Sequence, residues 1–339
     1  MRRREPVMYH QEPPVSSRRL YSHRARYVGA SVVRGYRLAR RLGAHRAGGD
    51  PPYCPARRLI TPVRVGLLLK LACVADCPPD FSRTAADYAR HRRGFPPELL
   101  DRLANRGIAE PGALVVDLGT GTGSLARLFA QQGCEVTGVD IAAPLLEQAR
   151  RLDREAGVQI TYVESPAEAT GLPSEAFDVV SAGQCWHWFD RPAATREVMR
   201  LLRSGGTVVI AHFDWLPVRG NVVEATEEII LRYTPTWPFA DRAGLYPRWL
   251  VDLQTAGFTE IETFSFDVME PYSHEAWIGR VRASAPIAGT LDSIGVTACS
   301  NELAVMLRSR FPHDPLAVPH RVWAVTAHAP PSTSSGPPW

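Results

Sequence analysis

The run Val115-Val116-Asp117-Leu118-Gly119-Thr120-Gly121-Thr122-Gly123 constrains this chain more than any other stretch. Apolar residues lead into an acid, glycines follow at every second position, and a helical pattern begins at Ser124. The pattern predicts a strand, a tight loop and a helix start. Glycines in such a loop let a ligand approach the backbone, and the helix N-terminus offers unpaired N–H groups. A dinucleotide is one candidate occupant, because glycine-rich strand-to-helix turns bind pyrophosphate. Two details count against it. The spacing is Gly-x-Gly-x-Gly, not Gly-x-Gly-x-x-Gly, and the charge of Asp117 would repel a pyrophosphate. An acid there suits a ligand carrying an ammonium and hydroxyls.

Glu135-Val136-Thr137-Gly138-Val139-Asp140 reads as a second strand that also ends in an acid. A carboxylate at that strand end can accept both hydroxyls of a ribose. A third strand and its turn fall within Ile160–Glu168, a fourth within Phe177–Ala182, and Leu201–Gly206 reads as a turn into a fifth. Four segments in order, VVDLGTGTG, VTGVD, AEATGLPSEAFDVVSAGQCWHWFD and VMRLLRSGGTVVI, resemble the motifs of class I S-adenosylmethionine-dependent methyltransferases. The nearest branch is the methyltransferase type 11 domain, similar to trans-aconitate and quinone-biosynthesis methyltransferases. Phe81–Pro97 resembles the opening segment of that branch, and the likeness spans roughly residues 81–328. S-adenosylmethionine, the cofactor so implied, carries an ammonium, ribose hydroxyls and a sulfonium.

The coarse pattern is helix 97–107, strand 113–118, helix 122–132, strand 135–140, helix 142–156, strand 159–163, strand 177–183, helix 192–202 and strand 206–213. Strands alternating with helices predict an α/β fold with a doubly wound, mostly parallel sheet. Beyond Asp214 the pattern changes, to helices at 221–233, 247–256, 274–283 and 300–310 and strands at 261–268 and 321–327. The resemblance implies a seven-stranded Rossmann-like sheet ordered 3-2-1-4-5-7-6 with an antiparallel last strand. It also implies a helical cap over the pocket, mainly within 214–318.

The net charge of +4 hides an asymmetry: residues 1–78 carry 16 Lys+Arg and 4 Asp+Glu, the remainder 23 and 31. Residues 1–78 are rich in Arg, Pro, Gly and Ser without sustained periodicity, which predicts disorder. They could be a basic arm for nucleic acid or membrane, a transit peptide, or a reading frame opened too far upstream. The last is favoured, because family-like sequence begins abruptly near Pro79. The domain is then 79–328, and the Pro/Ser-rich 329–339 is a disordered tail. Six scattered cysteines form neither a disulfide framework nor a zinc motif, which fits a reduced, cytoplasmic protein. The longest apolar stretch, 65–75, is broken by Lys70 and too short to span a bilayer.

On the resemblance, Gly119, Gly121 and Gly123 line the cofactor's methionine and ribose, and Asp117 meets its amino-acid end. Asp140 takes the ribose, Ile141 packs on the adenine face, and the turn holding Ala167 and Glu168 stands by the adenine edge. Many relatives have Asp where Pro166 stands, so Glu168 or a backbone group must replace that contact. Tyr88 and Arg92 fall in the opening segment that closes over the cofactor. Arg92 either pairs with the methionine carboxylate or is a solvated helix residue.

Gln184-Cys185-Trp186-His187-Trp188-Phe189 follows the fourth strand, at the sheet end where open α/β folds bind ligands. Gln184 is placed on the cofactor. His187 is the titratable side chain placed to accept a substrate proton near neutral pH, unless it is simply packed against backbone. Cys185 reads as a small buried residue, since the Pro-Cys context of C5-pyrimidine chemistry is missing. Beyond the fifth strand, Trp215, Tyr272, Trp277 and Arg280 suit a small-molecule pocket with a clamp for an acidic acceptor. The competing reading makes the tryptophans core and the arginine solvated.

Together these features predict methyl transfer by direct displacement to a small-molecule acceptor, a carboxylic acid among the candidates, with no metal and no membrane partner. The Asn/Asp-Pro-Pro-Tyr/Phe tetrad of base-amine methyltransferases is absent, which argues against nucleic acid. Two rivals stay open: an RNA methyltransferase that uses the basic arm, and a non-catalytic S-adenosylmethionine-binding protein.

Overall fold

A computed structural model describes residues 90–331 with the exception of Arg92. The expectations for residues 1–78, Tyr88, Arg92 and the end of the tail lie outside the described residues.

Seven strands form one sheet: β1 (Leu114–Leu118), β2 (Glu135–Asp140), β3 (Thr161–Glu164), β4 (Phe177–Gly183), β5 (Leu202–Trp215), β6 (Thr259–Tyr272) and β7 (Leu316–His328). Their order is β3-β2-β1-β4-β5-β7-β6. β1 to β5 are parallel, and β7 runs antiparallel to both β5 and β6. This is the doubly wound, mostly parallel α/β sheet expected from the sequence. β1 reads as a nearly continuous apolar run because it is covered on both faces, as central parallel strands are. Val115 faces a core built with α1 (Glu98–Ala104) and α2 (Ser124–Gln131), through Leu99, Leu103, Leu125 and Phe129. Val116 and Leu118 face the opposite core, which also contains Val198 and Leu201 of α4 (Arg191–Leu201) and Trp249 and Leu253 of α6 (Arg248–Thr255). α3 (Ala143–Ala156) joins β2 to β3 and stops at Gly157, whose φ of 70° supplies a left-handed C-cap.

A third core lies past the end of β5. There α5 (Val222–Tyr233), α7 (His274–Arg282), α8 (Ala285–Ala288) and α9 (Ser293–Arg310) pack around Trp215, Tyr272, Trp277, Leu316 and Val318. β5, β6 and β7 exceed their sequence-predicted lengths and supply the floor of this core. Pro271 and Pro319 sit inside β6 and β7 and make those ends read as loops. α9 starts at Ser293, earlier than the predicted 300, because Asp292 caps it by accepting from the Gly295 N–H. Ala329, the first residue of the expected tail, is buried, and its N–H donates to Gly206 O at 2.8 Å.

The glycine loop is held from behind. Arg127 on α2 donates to Thr122 O at 2.7 Å and pairs with Asp153 on α3, and Tyr162 Oη donates to Asp153 at 2.8 Å. Gly123 enters α2 with φ of 76°, and a Cβ there would stand 2.6 Å from Tyr162 Oη. Gly121 has φ of 57° but faces open space. Gly121→Ala therefore meets backbone strain alone, on the order of 1 kcal/mol. Gly123→Ala adds a collision and is expected to cost about 2–3 kcal/mol. Denaturant unfolding of both variants checks this, and equal losses would refute the tight approach of Tyr162.

Candidate functional site

β1, β2 and β4 end side by side, and the loops after them enclose a pocket of about 730 Å3. That volume lies within the usual range for small-molecule and cofactor sites. Asp117, Gly119, Gly121, Asp140, Ile141, Ala167, Glu168 and Gln184 all line it. Gly123 is not on the wall; it packs behind the loop against Tyr162. Gly119 is needed for close approach: with φ of 62°, a Cβ would meet Cys185 Sγ at 2.8 Å and Phe189 at 2.9 Å. The glycine loop and the turn after β4 are thereby locked together, and Cys185 Sγ lies 3.1 Å from Leu118 O.

Two carboxylates define the polar half. Asp117, 1% exposed, accepts from Ser181 Oγ at 2.7 Å through Oδ1, while Oδ2 has no hydrogen-bond partner. Burial pushes its carboxyl up to about 6. Asp140 accepts from Gly121 N–H at 2.8 Å with one oxygen and from Ala142 N–H at 2.9 Å with the other. Burial also raises its carboxyl, against those backbone N–H groups. Each Asp140 oxygen is oriented and retains acceptor capacity for a vicinal diol. Ile141 beside it is 68% exposed, an apolar face open to the pocket. Glu168 is oriented by accepting from the Asp190 N–H at 2.9 Å.

The opposite half is aromatic. Phe95, Phe213, Trp188 and Phe189 line it, together with Arg93. Of these, Trp188 and Phe189 stand within the run singled out by sequence. Phe95 and Phe213 were not identified there, although Phe213 occupies the end of the predicted fifth strand, where residues reach a ligand in such sheets. Gln184 turns the chain out of β4 with φ of 66°, a left-handed conformation costly for a non-glycine residue and common at functional sites. Its N–H donates to Ala211 O at 2.9 Å and its side-chain amide to Phe213 O. Arg93 donates to Pro271 O at 2.8 Å and lies 3.8 Å from Glu270.

His187 does not line the pocket wall. Its ring stands 4.5 Å, centroid to centroid, from Trp188, which does, and 5.3 Å from Phe239. Its Nδ1 is 3.4 Å from His212 Nε2 on β5. The residues expected on the acceptor are elsewhere: Trp215, Tyr272, Trp277 and Arg280 are all buried in the third core, with Arg280 stacked over Trp215 at 4.7 Å. Among the described residues, the helices of that core give no residue to the pocket lining. Their burial has a physical cause, since the aromatics close the floor laid by the long ends of β5, β6 and β7. No group of three or more His, Cys, Asp or Glu that could hold a metal occurs among the described residues, and no described helix is long and apolar enough to cross a membrane.

Residues 116–210, which span the glycine loop, both carboxylates and the turn after β4, match the family model Methyltransf_11, a methyltransferase domain. That stretch is similar to methyltransferase domains. An uncharacterized methyltransferase of Schizosaccharomyces pombe is 28% identical over 201 residues, 58% of this chain and 74% of the relative. A malonyl-[acyl-carrier protein] O-methyltransferase of Enterobacter lignolyticus is 36% identical over 154 residues, 44% of this chain and 58% of the relative. The chain thus spans little more than half the length of some curated relatives it matches. The solved structure of a candidate type II methyltransferase from Anaeromyxobacter dehalogenans shares the fold, with a TM-score of 0.54, 23% identity and coverage of 71% of this chain and 99% of that one.

Asp117 gives this domain a measurable signature. Its folded carboxyl titrates above the ordinary value of 3.8, so the folded state binds the proton more tightly than the unfolded state. Its effect on stability is therefore most favourable below pH 4 and is lost as pH rises to about 6. Asp117→Asn removes the buried charge while keeping an acceptor for Ser181. The variant is expected to be more stable than the parent at pH 7.5, by on the order of 1–3 kcal/mol, with no gain at pH 4. Thermal unfolding at the two pH values checks the sign.

Proposed function

We propose that this domain transfers a methyl group from S-adenosylmethionine to a small-molecule acceptor by direct displacement. The observation that supports the reading is a pair of carboxylates on one pocket wall, buried Asp117 and Asp140, the latter oriented by two backbone N–H groups. Burial makes the charge of Asp117 costly, and an ammonium from a ligand would offset that cost. Asp140 would take the ribose hydroxyls, Ile141 one face of the adenine, and the Ser165–Glu168 turn its edge. Gly119 and Gly121 would leave room for the ligand against the backbone. Gln184, fixed by its bonds to Ala211 and Phe213, would separate the cofactor from the aromatic acceptor side. When bound, the sulfonium supplies an activated methyl group. The protein's contribution is then alignment and exclusion of water by Phe95, Phe189 and Phe213.

Arg93 is the observation that favours a carboxylic acid as acceptor, being the cation of the described pocket lining. It is already engaged by Pro271 O and Glu270, which weakens that reading.

Titration calorimetry of the full chain with S-adenosylmethionine is expected to show micromolar binding, and Asp140→Ala to weaken it at least tenfold, about 1.4 kcal/mol. Unchanged affinity in Asp140→Ala would remove the site assignment. Below pH 6 the binding enthalpy should depend on buffer ionisation, because the ammonium drives the proton off Asp117. In Asp117→Asn that dependence should vanish.

A further inference from the structure

The strands that end at the pocket begin at a second cavity. Leu114 of β1, Glu135 of β2, Thr161 of β3 and Phe177 of β4 line an open groove of about 710 Å3. It shares no lining residue with the pocket. One bank is α3, through Arg150, Asp153 and Arg154. Leu114, Val158 and Ile160 are part-exposed there, so the groove also presents apolar surface to water.

The acids around the groove are largely committed. Asp153 pairs with Arg127 and accepts from Tyr162 Oη at 2.8 Å. Asp178, near enough to Cys134 to raise its thiol, accepts from Arg203 at 2.6 Å and from the Leu114 N–H at 2.8 Å. Arg151, the cation between the two groove arginines on α3, has Glu155 at 2.7 Å. Arg150 and Arg154 form no ion pair with any described carboxylate. They stand one helical turn apart on one face, where like charges repel. Each is nonetheless held. Arg150 lies over the ring of Tyr162, 5.5 Å from its centroid, and that ring is anchored through its hydroxyl on Asp153. Arg154 stands in the last turn of α3, where the helix dipole favours a cation. Neither contact neutralises the charge. Among the described residues, Glu135 is the one acid of the lining without an ion pair or a hydrogen bond through its side chain, so positive charge is in surplus.

We propose that this groove binds a small organic anion, with its charged head on Arg150 and Arg154 and its apolar body against Leu114, Val158 and Ile160. Two guanidinium groups on one face offer several N–H donors to a carboxylate, sulfonate or phosphate head. The body adds affinity in proportion to the apolar surface it covers. An inorganic anion would leave the apolar surface wet, and a neutral body would leave the cations unmatched, so both parts of the ligand are needed. No bond is made or broken at this site, and the proposal does not depend on the methyltransferase reading.

The test follows 4-(trifluoromethyl)benzenesulfonate, an apolar ring with a permanent charge, by fluorine NMR in the presence of the full chain. Saturable binding is expected. Arg150→Gln and Arg154→Gln should each weaken it roughly threefold and the double variant about tenfold, as expected for exposed charge pairs. Both arginines are exposed, so the variants should keep the parent's thermal unfolding, which is measured alongside. Neither 4-(trifluoromethyl)benzyl alcohol nor inorganic sulfate, at the concentration at which the probe saturates, should displace it. S-adenosylhomocysteine should also leave the probe bound. Absence of saturable binding, undiminished binding in the double variant, or displacement by the alcohol or by sulfate would each overturn the proposal. Displacement by S-adenosylhomocysteine would overturn it too, by placing the probe in the pocket beside Arg93 instead.

Discussion

One hydrogen bond, from Ser181 Oγ to Asp117 Oδ1, joins the central strands at the edge where the site is built. The two residues are paired across β1 and β4, so the register of the sheet itself brings donor and acceptor together. That bond fixes one carboxylate oxygen of a residue that lines the pocket. Its surroundings raise the cost of the negative charge, and the fold tolerates the cost because β1 is held by packing on both faces. The site is thereby built around a buried charge whose cost the fold bears.

The strand–loop–helix units up to β5 were legible because hydrophobic periodicity and glycine spacing act locally. Asp117, Gly119, Gly121 and Asp140 could be placed for the same reason: each lies at a strand end or in a loop whose direction the sheet dictates. Gly123 shows the limit of the pattern. Its spacing matches its neighbours, but the need it meets is Tyr162 at its back. The acceptor side was much less legible. Trp277 and Tyr272 looked like pocket residues by type, yet they are the floor of a separate core, and only the unexpected length of β5, β6 and β7 shows why. Pro271 and Pro319 concealed that length.

His212 and Phe213 are adjacent in sequence and serve opposite faces of β5. Phe213 joins the pocket side, and His212 points toward Tyr246 and Trp249. Strand alternation predicts that they diverge. It does not reveal that Tyr246, from a connection beyond α5, arrives beside His212. Contacts of this kind depend on tertiary placement of an irregular segment, and no periodicity encodes them.

The segment 234–247 has a further consequence. Glu227, 5% exposed on α5, accepts from Trp215 Nε1 and from the Asp241 N–H, each at 2.8 Å, so it pins this connection to the helical core. Phe239 and Tyr246 lie on either side of that pin. The position of this connection therefore answers to α5, whereas the positions of Asp117 and Asp140 answer to the register of β1, β2 and β4. A change at Glu227 thus reaches Phe239 and Tyr246 before it reaches either aspartate.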